Sequence, residues 1–226
     1  QRGVGYYIAF SIIYIYFALT EFYLNSNLQL NSWFNDLKDT LLIFSIFVSL
    51  FLLRDLFSSK NLPGILVKKY FRFIFYITSS FVFIYLIANF KGFYDPSIIL
   101  GCFILIWVND SFAYIVGKSF GKQKLFYSIS PHKTVEGFLG GLLFCCISAS
   151  IVSRYIDETL STQNWLIIGI IVSVFGTLGD LIESKLKRES NVKDSGKIMP
   201  GHGGILDRLD SIIFASPYIY LFLKLI

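Results

Sequence analysis

Charged residues are scarce in this chain. Asp, Glu, Lys and Arg make up only 15% of its 226 residues, whereas about 25% is usual in soluble domains. Hydrophobic residues reach 54%, and the mean hydropathy is +0.63. A soluble domain of this size could not hide so much apolar surface, and a disordered chain would carry less of it. The scarcity of charge therefore indicates a polytopic membrane protein with one domain.

Cysteine and histidine are also rare, which excludes further classes. The cysteines Cys102, Cys145 and Cys146 lie in apolar runs without metal-ligand spacing, and we interpret them as buried apolar residues. Neither His132 nor His202 has a cysteine nearby, which argues against a zinc site. The sequence also has no nucleophile elbow and no Walker A loop, so acyl transfer and P-loop chemistry are disfavoured.

Long apolar runs dominate the chain and predict an all-α fold, a polytopic transmembrane helical bundle. A spanning helix needs roughly 20 mainly apolar residues. About seven runs qualify, and six to nine spans are compatible with the pattern, because two runs are short and the chain begins at Gln1 without a Met. The runs are Tyr6–Leu24, Thr40–Leu53, Phe73–Phe90, Ser97–Gly117, Gly137–Val152, Trp165–Ile182 and Ile212–Ile226.

The distribution of positive charge predicts the orientation of these spans. Of the 20 Lys and Arg residues, 16 lie at the N-terminus and in alternate connections, including segments 118–134 and 183–211. Lys and Arg accumulate in cytoplasmic loops. We therefore predict a cytoplasmic N-terminus and two cytoplasmic polar loops, 118–134 and 183–211. The formal net charge of +5 then reflects membrane orientation, with anionic substrates as a second contribution, and not nucleic-acid binding.

Polar residues within predicted spans are candidates for function, because they are costly in a bilayer. Asp110, Tyr114 and Gly117 in the fourth predicted span are spaced i, i+4, i+7 and share one helix face. We expect this face to point into the bundle. The alternative interpretation is an Asp that pairs or caps within the bundle for structural reasons.

The segment from Gly117 to Gly137 is rich in Gly, Lys, Ser and Thr, a composition that can hold phosphate oxygens. Its lysines include Lys122 and Lys133. We expect a turn at Ser130–Pro131 and a helix cap at or near Thr134. A solvated basic loop that obeys the positive-inside rule is an equally good interpretation.

A third polar cluster runs from Gly179 to Ser211. Asp180, Glu183, Ser184 and Lys187 recur on one helical face at the end of a predicted span, and a glycine-rich turn separates them from later acids. Carboxylates at two helix ends suit Mg²⁺, which prefers hard oxygen ligands and bridges substrate phosphates. The alternative is an ordinary juxtamembrane loop with compensating ion pairs. The later acids are Asp207 and Asp210, and the cations able to neutralise phosphate are Lys187, Arg188, Lys193 and Arg208.

The spacing of these residues resembles a family signature. The pattern Ser184-x-Leu186-Lys187-Arg188-x4-Lys193-Asp194-x-Gly196-x3-Pro200-Gly201-His202-Gly203-Gly204-x2-Asp207-Arg208-x-Asp210 resembles that of phosphatidate cytidylyltransferases, the CDP-diacylglycerol synthases. The segments around Asp110–Lys122 and Ile129–Gly137 are similar to that family as well. Together the motifs cover about half of the chain. His132 departs from the pattern, where a second lysine is expected.

The resemblance implies a Mg²⁺-dependent reaction of CTP with phosphatidate that gives CDP-diacylglycerol and pyrophosphate. It implies metal ligation by Asp180 and Asp207, and a catalytic role for Lys193 and Asp194 as well. The remaining residues are expected to bind substrate: Asp110, Lys122, Ser130, Lys133, Ser184, Lys187, Arg188, His202, Gly203, Gly204, Arg208 and Asp210. A monovalent cation beside Mg²⁺ and a homodimer are left open.

We expect one integral membrane domain over residues 1–226, with N-terminal spans in 1–96 and catalytic spans in 97–226, in a bacterial cytoplasmic membrane. The nearest alternative is a related CTP-using enzyme, either a lipid kinase or a synthase of CDP-archaeol type. A transporter of anionic solutes is a more distant alternative, because the polar motifs crowd into one half of the chain and are not arranged as inverted repeats.

Overall fold

The computed structural model describes residues 32–57, 72–157, 159–196 and 204–226, together with the isolated positions 8, 12 and 15. The predicted span Tyr6–Leu24, apart from those positions, lies outside the described residues, and so do His202 and Gly203.

The described chain is mostly helical. It comprises helix α1 (Ser32–Phe57), a π-helical segment (Phe73–Thr78) that continues into α2 (Ser79–Ala88), α3 (Ser97–Phe120), strands β1 (Lys124–Phe126) and β2 (Ser130–Thr134), α4 (Val135–Tyr155), α5 (Thr162–Glu189) and α6 (Leu206–Leu225). Helices that lie in a lipid bilayer associate through close van der Waals packing and interhelical hydrogen bonds, because lipid tails are as apolar as their side chains.

Among the described residues, four stretches are long and apolar enough to cross a membrane: Lys38–Phe57 within α1, and the helices α3, α4 and α5. They coincide with four of the predicted spans. The apolar helix Ile74–Ala88 is shorter and matches part of a fifth, and α6 contains most of the last predicted span. The total number of spans and their orientation stay predictions.

The described parts of the two polar segments contain more regular secondary structure than expected. Segment 118–134 contains the end of α3 and an antiparallel hairpin in which Lys124 pairs with Thr134 and Phe126 with Ser130. The expected turn at Ser130–Pro131 is wrong, because these residues begin β2. Pro131 is tolerated there because a two-stranded sheet has only edge strands. The apolar side chains of β1 are partly buried, and this burial favours a strand over a solvated loop.

The loop predicted over residues 183–211 is also shorter in the structure. Helix α5 continues to Glu189, beyond the predicted span end at Ile182, and α6 begins at Leu206. The extension is rich in Glu, Lys, Arg and Leu, which have good helix propensity. Ser184 and Lys187 therefore lie on α5, as expected from the helical face predicted for them.

Glycines allow the helices to approach closely at one end of the bundle. A Cβ atom at Gly137 in α4 would lie 2.6 Å from the carbonyl oxygen of Ala113 in α3, and one at Gly141 would lie 2.8 Å from that of Asn109. This close crossing of α3 and α4 lies at the end of the bundle where α3 and α5 finish and where α4 and α6 begin. We call it the site end.

The opposite half of the bundle packs around Trp165, which is completely buried. Its indole Nε1 donates to the carbonyl oxygen of Asp157 at 3.3 Å. Gly101 makes room for the ring, since a Cβ atom there would lie 2.4 Å from Cη2 of Trp165 and 2.8 Å from Cγ1 of Val152.

We expect Gly101→Ala to destabilise the fold by about 1–3 kcal/mol, because a rigid buried ring must shift. Gly176→Ala is the matched control, since its new Cβ would meet Ser211 at an ordinary 3.4 Å and Ala favours helix over Gly. Thermal unfolding in detergent measures both variants. Equal midpoints for the two variants would contradict the packing described here.

Candidate active site

A cavity of about 680 Å³ opens at the site end of the bundle. It lies between the second half of α3, the hairpin, the start of α4 and the helix α5. Both signs of charge line it: the basic side chains are Lys118, Lys124, His132 and Lys133, and the acidic ones are Asp110 and Asp180. A cavity of this size with both charges can hold a phosphorylated ligand and a cation together.

An ion pair crosses the cavity between the hairpin and α5. The Nζ atom of Lys133 on β2 lies 2.5 Å from Oδ2 of Asp180, and the Ser184 hydroxyl donates to Oδ1 of Asp180 at 3.2 Å. The two charged side chains retain 27% and 36% of their exposure. Partly exposed ion pairs contribute little net stability. An anion that enters the cavity can therefore replace Asp180 as the partner of Lys133, and a cation can replace Lys133 as the partner of Asp180.

The polar floor of the cavity is built on α3. The side-chain amide of Asn109 donates to Oδ1 of Asp110 at 3.3 Å, while its own oxygen accepts a hydrogen bond from the hydroxyl of Ser173 at 2.6 Å. Asn109 and Ser173 are buried. Asp110, Tyr114 and Gly117 all line the cavity, but Asp110 and Tyr114 are exposed, so this face borders an open cavity and not the bundle interior that was predicted.

The base of the hairpin is held by the first turn of α4. The Thr134 hydroxyl accepts a hydrogen bond from the Gly137 amide at 3.1 Å, which confirms the predicted helix cap. Oε2 of Glu136 accepts from the amides of Lys122 at 3.0 Å and Gln123 at 3.2 Å. Acids are favoured at a helix N-terminus, so Glu136 serves the helix and the hairpin at once.

A second polar centre organises the loop between α5 and α6. Oδ1 of Asp207 lies 2.7 Å from Nζ of Lys187. Its other oxygen, Oδ2, accepts hydrogen bonds from the Ser195 amide at 2.9 Å, the Ser195 hydroxyl at 2.7 Å and the Gly204 amide at 2.7 Å. Asp207 therefore ties residues on both sides of the loop to the end of α5.

The environment of Asp207 favours its charged form. Burial by itself would raise the pKa of this carboxyl group, but the Lys187 ammonium, the Gly204 amide and the donors of Ser195 outweigh it. They hold the pKa of Asp207 well below its usual range.

Glu183 and Asp210 join the two centres electrostatically. Nζ of Lys187 lies 2.7 Å from Oε2 of Glu183, whose side chain is only 4% exposed. Burial and the nearby carboxylates of Asp180 and Glu183 raise the pKa of Asp210 to about 8. Lys133 pairs with Asp180, and Lys187 pairs with both Glu183 and Asp207.

Known proteins resemble this chain over most of its length. Residues 3–226 match the profile of the Cytidylyltransferase family. The phosphatidate cytidylyltransferase of Staphylococcus saprophyticus is 42% identical over 195 residues, which cover 85% of this chain and 72% of that protein. This chain belongs to the cytidylyltransferase family.

Two further relatives match a shorter stretch. The phosphatidate cytidylyltransferase of Bacillus subtilis is 52% identical over 122 residues, 54% of this chain and 45% of the relative. That of Staphylococcus haemolyticus is 49% identical over 125 residues, 55% of this chain and 48% of the relative. The matched stretch is thus about half the length of these two cytidylyltransferases.

The structure gathers some of the predicted site residues and separates others. Asp110, Lys133, Asp180 and Ser184 meet at the cavity, while Lys187, Gly204 and Asp207 form the second centre, with Asp210 between the two. His202 and Gly203 lie outside the described residues. Ser130 is half-buried at the start of β2, and the exposed predicted residues are Lys122, Arg188, Lys193, Asp194 and Arg208.

The metal prediction can be compared with this geometry. Within the described parts of the chain, no group of three His, Cys, Asp or Glu side chains is arranged to hold a metal ion. Mg²⁺ that accompanies a nucleotide needs only one or two carboxylates beside waters and phosphates, and Asp110 and Asp180 both line the cavity. The acids there fit that mode of binding. The oxygens of Asp207 are occupied by donors of this chain, so its role as a metal ligand stays a prediction.

Several side chains that shape the site were not among the predicted site residues. Asn109 and Ser173 form a buried pair that only the packing of α3 against α5 reveals. Glu136 carried a signal, as an acid in the first turn of a capped helix. Ser195 carried none, because its two hydrogen bonds to Asp207 depend on how the loop folds back.

We expect Asp207→Asn to loosen residues 190–196, because the amide cannot replace the charge-assisted contacts to Lys187 and Ser195. Hydrogen–deuterium exchange of this segment should become tenfold faster or more. Asp194→Asn, a change at an exposed side chain of the same segment, is the control and should leave exchange unchanged. Equal protection in wild type and Asp207→Asn would refute the organising role.

The low pKa of Asp207 also predicts how the loop responds to pH. A carboxyl group with a depressed folded-state pKa contributes its full stability above the unfolded value of about 3.9. That stability is lost only as the pH falls through the lower folded value. Protection of residues 190–196, corrected for intrinsic exchange, should therefore be the same at pH 8 and pH 5. A loop that opens within this range would contradict the assignment.

Proposed function

We propose that this protein is a phosphatidate cytidylyltransferase, which transfers CMP from CTP to phosphatidate and releases pyrophosphate. The observation that carries the proposal is the Lys133–Asp180 pair across an open cavity, in a member of the cytidylyltransferase family. Three relatives of the chain are named phosphatidate cytidylyltransferases.

The reaction is an in-line displacement at phosphorus. A phosphate oxygen of phosphatidate attacks the α-phosphorus of CTP, the bond from that phosphorus to the bridging oxygen breaks, and pyrophosphate leaves with the bond electrons. The attacking phosphate is already ionised, so a strong general base is unnecessary. Such transfers depend mainly on positioning and on neutralising charge.

The cavity can supply both the positioning and the charge neutralisation that this transfer needs. Lys133 is placed to take a phosphate oxygen in exchange for Asp180, and Lys118 and Lys124 add positive charge along the lining. Asp180, once released from Lys133, and Asp110 would hold Mg²⁺. When bound, Mg²⁺ would supply positive charge that stabilises the negative charge developing on the phosphates. Lys122 and Ser130 flank this region of the hairpin.

The second centre has a different task in this proposal. Asp207 and Lys187 hold the loop that carries Lys193, Asp194 and the glycines before α6. With Arg188 and Arg208 at its ends, this loop would cover the nucleotide and neutralise the phosphates that the cavity leaves exposed. The metal role of Asp207 would require its present donors to rearrange when substrate binds.

The location of the site matches a reaction between a lipid and a soluble nucleotide. Helices long and apolar enough to be spans end beside the cavity, so phosphatidate could stay in the bilayer while CTP enters from water. We propose the cytoplasmic membrane of a bacterium as its place, with the cavity facing the cytoplasm. The relatives named above are bacterial.

Pyrophosphate release by the detergent-purified protein tests the reaction. We expect release only when CTP, phosphatidate and Mg²⁺ are all present, with each omission as a control. CDP release in place of pyrophosphate would assign a lipid kinase. Folded protein that binds CTP without release would point to another acceptor lipid, such as an archaeal-type ether lipid, and failure to bind CTP would favour a transporter.

Asp180→Asn should lower turnover by about a hundredfold or more, because the cavity then lacks the charge that Mg²⁺ and Lys133 both require. Asp207→Asn should also lower turnover steeply. Asp39→Asn is the matched control, since Asp39 pairs with Lys224 at the other end of the bundle. Near-wild-type turnover of either folded site variant at saturating Mg²⁺ would show that its metal assignment is wrong.

A further inference from the structure

Helix α1 carries none of the polar motifs, yet its last turn lies at the site end of the bundle. Two residues of that turn reach the two elements that bear the ion pair of the cavity. Asp55 contacts α5, which carries Asp180, and Phe57 contacts the hairpin, which carries Lys133. Helix α1 therefore touches both sides of the cavity from outside its lining.

The contact with α5 is a shielded ion pair. Nζ of Lys185 lies 2.7 Å from Oδ2 of Asp55 and donates to the backbone oxygen of Asp55 at 2.5 Å. The two side chains are only 23% and 12% exposed, so water screens the pair less than a surface one. Lys185 directly follows Ser184, which donates to Asp180.

The contact with the hairpin is aromatic. The rings of Phe57 and Phe126 are 5.2 Å apart at their centroids and meet edge to face at 62°, an arrangement that aromatic pairs prefer, although Phe57 is 68% exposed. Phe126 belongs to β1 and pairs with Ser130 of β2. A displacement of Phe126 would therefore move the strand on which Lys133 lies.

An apolar cluster continues this support beneath the cavity. Val48, Leu52 and Leu56 of α1 are buried with Leu181 and Ile182 of α5. The latter two residues directly follow Asp180. Side chains from the hairpin pack against the same cluster: Leu125, Phe126 and Ile129. One hydrophobic floor thus supports both partners of the Lys133–Asp180 pair.

We propose that the last turn of α1 is a brace, in which Asp55 and Phe57, with Lys185 as the partner of Asp55, set the gap between the hairpin and α5. These three are positioning residues, which act through Lys133 and Asp180 and do not touch substrate. The proposal rests on the transferase function proposed above. A misplacement of about 1 Å can cost two orders of magnitude in rate.

The first test uses variants of the ion pair in the full-length protein. Asp55→Ala and Lys185→Ala should each lower kcat for pyrophosphate release about tenfold, with a smaller change in KM for CTP. The reversed pair, Asp55→Lys with Lys185→Asp, should recover to within about threefold of wild type. Asp39→Ala, which breaks the ion pair at the other end of α1, is the matched control and should keep wild-type turnover.

A double-mutant cycle separates positioning from general stability. Asp55→Ala should have little further effect on kcat in a Lys133→Ala background, because the brace acts by setting the gap between Lys133 and Asp180. Independent, multiplicative losses would overturn the proposal, and so would a reversed pair no better than the single variants. If Asp55→Ala does not fold, Asp55→Asn, which keeps the volume of the side chain, replaces it.

Hydrogen–deuterium exchange tests the brace without relying on turnover. Residues 124–134 should exchange faster in Asp55→Ala than in wild type or Asp39→Ala. Unchanged exchange in Asp55→Ala would overturn the brace even if the enzyme is active. Faster exchange in a protein whose wild type releases no pyrophosphate would instead uphold the brace as geometry and reject the proposed transferase.

Discussion

The separation of charge across the cavity is the constraint on which the site depends. Asp110 and Asp180 stand on apolar helices, where an unbalanced carboxylate is costly. Lys133 reaches Asp180 from the hairpin and compensates that cost. Because the pair remains partly exposed, its partners are still able to exchange for ligands of the same charge. In the proposed function this pair opens, so that Lys133 binds a phosphate and Asp180 binds a cation.

Elements remote in sequence keep this pair together. Glycines at 137 and 141 let α4 approach α3 closely, and Thr134 and Glu136 then fasten the hairpin to the first turn of α4. The base of the hairpin is therefore fixed, while its strands pack against the hydrophobic cluster to which α1 contributes. Close helix packing, helix capping and apolar burial together position one lysine.

The second centre follows the same logic with a different result. Lys187 neutralises Glu183 and Asp207 together, and the remaining oxygen of Asp207 collects donors from both sides of the loop. Two motif residues that look equivalent in the sequence thus have different surroundings. Asp180 faces an open cavity, whereas Asp207 accepts hydrogen bonds from the backbone of the loop. The acidic residues between them connect the two centres electrostatically, so a charged ligand in the cavity should change the electrostatic potential at the loop.

The sequence by itself predicted the family, the positions of the four long apolar helices in the described part of the chain, and the candidate site residues, because hydropathy and motif spacing are local properties. It placed the cap at Thr134 for the same reason. Only the tertiary structure decided that segment 118–134 forms a hairpin, that Lys133 pairs with Asp180 and that Ser195 serves Asp207. Those contacts depend on where distant elements meet, which periodicity along one element does not encode.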